Sequence, residues 1–154
     1  MLRAFFALLV FVPSLVFARV EVYEGSGVWK KSDGESGSYT VLVHKTYQSN
    51  GSVRIIKTIT ESATNESMTW SFVISSDQDG FATVSREDGT PLGRGYYFEK
   101  HGKMIGHIDM ETEDGTKVEK TVCLEGQLYK SIGSHTNSDG TLTTWSESGN
   151  LIHP

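Results

Sequence analysis

The stretch GRGYYFEKHGKMIGHIDM, from Gly93 to Met110, sets an Arg, two Tyr, a His and an Asp among residues that favour strands. His107 and Asp109 are two residues apart, so on a strand their side chains share a face, where they could ligate a metal ion or exchange a proton. No third ligand of suitable kind lies close in sequence: Glu111 continues the row but faces Lys117, and Thr121 stands opposite His107. The expectation is a solvated outer strand face, with no metal, no cofactor and no catalytic group. His44 and His135 fall on the same outward alternation. Cys123, the one cysteine of the chain, has no His or helix N-terminus nearby to lower its pKa. No nucleophile elbow, phosphate loop or paired-Cys signature occurs.

A second set of candidates is cationic and depends on the elements that carry it. Five Asp-Gly pairs (at Gly34, Gly80, Gly89, Gly115 and Gly140) and Asn50-Gly51 punctuate the chain, with His101-Gly102 and Glu125-Gly126 between them. The segments they separate are short and rich in Val, Ile, Thr, Tyr and Trp, the pattern of an all-β sandwich or barrel. No apolar stripe of helical period follows residue 18. With consecutive hairpins and no helix to cover an apolar face, the sheet must cover itself. The expected fold is all-β: an antiparallel up-and-down meander of about 8–10 strands closing into a barrel.

Turn length then decides which side chains face inward. A two-residue turn at His101-Gly102 would put Arg94, Tyr96 and Phe98 on one face with Ile105, His107 and Asp109, mixing polar and apolar groups on both faces. A three-residue turn, with Gly102 left-handed in a bulge, pairs Phe98 with Met104, Tyr96 with Gly106 and Arg94 with Ile108. That register separates apolar from polar, and it is the one predicted. Carried along the chain, the same turn predicts Ile74 opposite Val84, Val84 opposite Leu92, Met110 opposite Val118, and Val122 opposite Leu128. One apolar face then runs from Tyr39 and Val41 through Trp70, Phe72 and Met104 to Ile132.

Cations interrupt this face. By the same alternation Lys45, Lys57, Arg86, Arg94, Lys120 and Lys130 point inward with Glu61, whereas Glu99, Asp109, Glu111, Glu119 and Glu147 point outward. Unpaired buried charge costs several kcal/mol per group, so an anion, water or an inward acid must compensate. The arrangement predicts a lumen for a small anionic or amphipathic molecule. Arg94 and Tyr96 would hold its acid group, with Phe72, Met104, Ile108 and Met110 against its hydrocarbon. The rival readings are rim charges that reach solvent, an interaction scaffold using outward Tyr97, Tyr129 and Trp145, and an enzyme using His107 and Asp109.

Composition limits the compartment and the partners. MLRAFFALLVFVPSLVFA has the one early cation, short apolar run and small-residue end of a secretory signal peptide, with cleavage expected after Ala18. Residues 1–18 are thus read as a leader and 19–154 as one secreted or periplasmic domain. No later segment approaches the ~20 apolar residues of a membrane span. Without Arg3, 13 Lys and Arg face 19 Asp and Glu; an acidic surface excludes wholesale nucleic-acid binding.

EGSGVWKK places Gly27-Val28-Trp29 on the first strand. This resembles the Gly-x-Trp of calycin barrels, the superfamily of lipocalins, fatty-acid-binding proteins and avidins. The resemblance rests on Gly27 and Trp29, and implies that Trp29 closes one end of the barrel around a small-molecule lumen. The pattern departs from lipocalins in that TLTTWSES has no Lys or Arg to pair with the Trp. It departs from fatty-acid-binding proteins in that only SDGESG follows the first strand, where they insert a helical lid.

Overall fold

The computed structural model describes residues 19–101, 103–112 and 114–154, without the side chains of 98–100. The expected leader, the left-handed Gly102, inward Phe98 and outward Glu99 lie outside the described residues. The strands are β1 (Val20–Lys31), β2 (Ser36–Tyr47), β3 (Val53–Glu61), β4 (Ser67–Ser76), β5 (Phe81–Ser85), β6 (Pro91–Lys100), β7 (Lys103–Glu111), β8 (Lys117–Glu125), β9 (Leu128–Thr136) and β10 (Leu142–His153). Each pairs antiparallel with its sequence neighbours, and β1 pairs with β10 to close the barrel. No helix among the described residues is long and apolar enough to cross a membrane.

The x-Asp-Gly turns form as expected. Gly34, Gly51, Gly80, Gly89, Gly115 and Gly140 all take positive φ between 79° and 99°, the left-handed step that closes a three-residue hairpin with a bulge. At the first, Lys31 N–H donates to Glu35 O at 2.8 Å and Gly34 N–H to Lys31 O at 3.1 Å. The residue before the glycine locks the turn: Asp33 Oδ1 accepts from Glu35 N–H at 3.0 Å, and Asn50, Asp88, Asp114 and Asp139 do the same for Ser52, Thr90, Thr116 and Thr141. At the Gly80 turn Asp77 takes that role, accepting from Phe81 N–H at 2.9 Å.

His101-Gly102 and Glu125-Gly126 have His and Glu where the other turns have Asp or Asn, and there the prediction is corrected. Lys100 pairs with Lys103 and Glu125 with Leu128, so both turns have two residues. His101 has φ 54° and Gly126 φ 60°. A further slip sits on the other side of β6. The Gly89 turn forms, but a bulge between Val84 and Ser85 pairs Ser85 with Pro91 and Val84 with Gly93 instead of Leu92. Pro91 has no N–H to give the ladder, which suits a bulged strand start.

These slips reverse three strands. Strand β6 is shifted by one residue at each flank, so Arg94 and Tyr96 lie opposite Asp109 and His107 on the outer face. The two shifts cancel, and β7 and β8 keep the predicted register, with Met110 opposite Val118 and Met104 opposite Leu124. Strands β9 and β10 reverse together. Trp145 does stand opposite Gly133, but Tyr129, Ser131, His135, Trp145 and Glu147 face inward, whereas Leu128, Lys130 and Ile132 face outward.

The packed half of the lumen centres on Tyr23, Tyr39, Val41, Val43 and Tyr129, with Ile55, Ile59, Val122 and Leu124 against them. Near the β1–β2 turn, Trp29 stands opposite Trp145. Gly37 and Gly133 make room beneath these rings: a Cβ there would lie 2.7 Å from the Trp29 indole and 2.4 Å from that of Trp145. The β4 side is open by contrast. Strand β4 meets β5 only through Val73–Ser76, so Ser67–Phe72 have no ladder partner on that side. Met68 and Trp70 alternate with Phe72 toward the lumen there, yet are 55% and 45% exposed.

Candidate functional site

Glu147 is the centre of the lumen. It lies opposite Gly27 in the β1–β10 ladder, and its side chain is fully buried. Tyr39 Oη donates to Glu147 Oε2 at 2.8 Å, and Tyr129 Oη donates to Oε1. Lys57 Nζ from β3 reaches the two oxygens at 2.8 and 2.7 Å. Lys120 Nζ from β8 stands 3.7 Å from Oε1 and 3.4 Å from Tyr129 Oη. Strands from opposite sides of the barrel thus converge on one carboxylate.

The charges do not balance locally, because two ammonium groups face one carboxylate. Burial alone would push the Glu147 carboxyl up, but Lys120, Lys57 and the Tyr129 hydroxyl hold it below the usual carboxylate range. Burial, reinforced by Lys57, brings Lys120 down to about 7 against the pull of Glu147. Burial and Glu147 push the Tyr39 and Tyr129 hydroxyls up. Glu147 is well supplied with donors; Lys120, loosely held, retains N–H groups that another acceptor could take.

A second acid sits near the β2–β3 end. Glu21 accepts from Tyr23 Oη at 3.0 Å and from Lys45 Nζ at 3.3 Å, and pairs with Arg19. Burial raises its pKa, but Lys45, Tyr23 and Arg19 lower it further than that. Lys45 is thereby already engaged. The buried Ser131 Oγ and Trp145 Nε1 have no hydrogen-bond partner among the described residues.

The predicted ligand-binding residues therefore divide. Lys45, Lys57, Lys120, Phe72, Met104, Ile108 and Met110 face the lumen as expected. Arg94, Tyr96 and Lys130 do not: all three are exposed on the outer wall, for the turn and bulge reasons given above. Arg86 is half-buried and begins the β5–β6 turn, its N–H donating to Thr90 O. Glu147, expected outside, is the buried carboxylate that Lys57 and Lys120 share. Tyr129 and Trp145, expected as outer contact residues, line the interior, and Tyr97 stands opposite Gly106 on the lumen side. Alternation along β10 carried no sign of this; the signal was the absence of Asp or Asn before Gly126.

Outside the barrel, His107, Asp109 and Glu119 are the group with metal-ligand composition among the described residues. Asp109 and Glu119, but not His107, also line a groove of about 850 Å³ with Thr83, Arg94, Lys117 and Ser134.

No protein-family model and no curated protein matches the sequence. Solved structures do match in shape. Rv2717c from M. tuberculosis superposes with a TM-score of 0.62 at 8% identity, covering 86% of this chain and 91% of its own. The S-type phycobiliprotein lyase CpeS from Guillardia theta superposes with a TM-score of 0.59 at 11% identity, covering 88% and 87%. At these identities the likeness is one of fold. The ten-strand closure and these two neighbours together give the chain a calycin-like β-barrel fold.

Proposed function

We propose that this is an exported, non-catalytic binding protein that holds a small anionic amphiphile in its lumen, with the acid group at Lys57 and Lys120. One observation carries the reading: two ammonium groups whose side chains are only 13% and 12% exposed share the single carboxylate of Glu147, beside a mouth lined by apolar side chains. Trp70 stands directly opposite Lys57 in the β3–β4 ladder, on the lumen face, and is 45% exposed. A ligand entering along β4 would lay its apolar body on Trp70, Met68 and Phe72 and extend its anionic end toward the lysines. Such a ligand supplies the missing negative charge, and each charge-assisted hydrogen bond it makes counts for about 1.5–3 kcal/mol. Apolar pockets with few convergent polar groups are the usual form of small-molecule sites.

The test is a titration of the purified protein with a fluorescent fatty acid and with its uncharged methyl ester. The acid should bind at micromolar concentration, and Lys57→Met or Lys120→Met should each weaken it more than about tenfold, the equivalent of about 1.4 kcal/mol. The ester should be affected little, and Arg94→Ala should change neither. Because an anion binds better to protonated Lys120, affinity for the acid should fall as pH rises above about 7. An acid that binds no better than its ester, or lysine variants that bind it as wild type does, would rule the reading out. Export is checked separately: the N-terminus of the protein recovered outside the cytoplasm should be Arg19.

A further inference from the structure

The third metal ligand missing from the linear sequence lies across the ladder. Asp109 of β7 stands opposite Glu119 of β8, so His107, Asp109 and Glu119 form a triangle on the outer wall. His107 Nε2 is 3.4 Å from Asp109 Oδ1 and 3.9 Å from Glu119 Oε1, and the three ligand atoms lie within 4.8 Å of one another. Zinc bonds to N and O of about 2.0–2.1 Å put the corners of a tetrahedron about 3.3 Å apart. One edge already has that length, and small rotations of the two carboxylates would close the others. Both are free to make them, with side chains 66% and 67% exposed.

The imidazole is the fixed member. Its Nδ1 lies 3.0 Å from Thr121 Oγ1, and its ring stacks on Tyr96, centroids 5.5 Å apart at 28°. An Nδ1–H donated to Thr121 leaves the Nε2 lone pair toward the carboxylates, the outer-shell arrangement that typically orients a ligating histidine. This is what separates the triangle from a chance cluster of surface acids, since the ring is held in the required orientation by groups that are not themselves ligands. Three strands contribute: Tyr96 from β6, His107 and Asp109 from β7, Glu119 and Thr121 from β8.

We propose that His107, Asp109 and Glu119 form a site for a divalent transition ion of the Zn²⁺ class, with its remaining coordination positions open toward the groove that Asp109 and Glu119 line. One imidazole and two carboxylates suit such a borderline ion. Arg94, opposite Asp109 across β6–β7, adds a neighbouring positive charge, so micromolar affinity is expected. The site is independent of the lumen and of the ligand proposed for it.

Isothermal titration of chelator-stripped protein with Zn²⁺ should give one ion per chain. His107→Ala and Glu119→Ala should each weaken it at least tenfold, while His44→Ala and Cys123→Ser leave it unchanged. Co²⁺ in the same site should show ligand-field bands without a thiolate charge-transfer band. Absence of saturable binding below millimolar Zn²⁺, binding that survives His107→Ala, or a thiolate band lost in Cys123→Ser would each overturn the proposal.

Discussion

Gly27 matters to this barrel for what it leaves empty. It faces Tyr39 on one side and Glu147 on the other, and with no side chain between them the Tyr39 hydroxyl reaches Glu147 at 2.8 Å. A Cβ at residue 27 would lie 2.4 Å from the Tyr39 ring. Gly27→Ala is therefore expected to cost about 1–3 kcal/mol, the range for overpacking a well-filled interior, visible as a lower urea midpoint. Tyr39→Ala alone should cost more, because it opens a cavity and removes a donor to a buried carboxylate. In the double variant the methyl enters the space the ring left, so its loss should be smaller than the sum of the two single losses. Additive losses would show that the glycine and the tyrosine act independently. Within the Gly-x-Trp pattern, Trp29 fills one end while Gly27 gives a phenol access to the central acid.

At the scale of elements, the side chain before each turn glycine decided how far the sequence could be read. Where Asp or Asn precedes the glycine the turn has three residues, and in all but the Gly80 turn, where Asp77 acts instead, that side chain captures the N–H two residues on; β2, β3 and β4 face as predicted, and β7 and β8 do so because the slips on either side of β6 cancel. His101 and Glu125 cannot make that short return, and their turns close with two residues. The apolar–polar separation that favoured the longer turn at Gly102 was a weaker guide, because the inner face of this barrel is itself part polar. Lys57 and Lys120 were legible as lumen cations; Glu147 was not, because one turn at Gly126 governs both strands after it. The metal triangle was hidden differently, since Glu119 is adjacent to Asp109 only across strands. Register in β9 can be tested by labelling single cysteines in a Cys123→Ser background. Ile132→Cys, at a position 61% exposed, should react rapidly, and Ser131→Cys, at one 2% exposed, should be protected by more than about a hundredfold. The reverse order would restore the three-residue turn.

For the whole molecule, an ionised interior makes stability depend on pH in an unusual direction. Lys120 titrates at about 7 when folded and near 10.5 when unfolded, so between those values the unfolded chain binds the extra proton. Stability then rises with pH across that window, by at most about 1.4 kcal/mol per unit for one group. His135, lowered by burial and by Lys31, adds a rise of the same sign at lower pH. Glu147 and Glu21, both held below the carboxylate range, contribute stability that is lost as pH falls through their folded values. The tyrosines around them act at the other extreme. Tyr23, Tyr39 and Tyr129 are raised by burial and by a neighbouring carboxylate, so above about pH 10 the unfolded chain releases protons that the folded one keeps, and stability falls. The sum places the maximum near pH 9–10, above the range of about 5–8 common to globular proteins. Urea midpoints measured from pH 4 to 11 should trace that curve. Lys120→Met should flatten the rise from pH 7 to 10 and leave the acid and alkaline limbs in place, since Glu147 keeps Lys57 and both hydroxyls. A bound anion should flatten the same limb, because it keeps Lys120 protonated in the folded barrel and removes the difference that drives the rise.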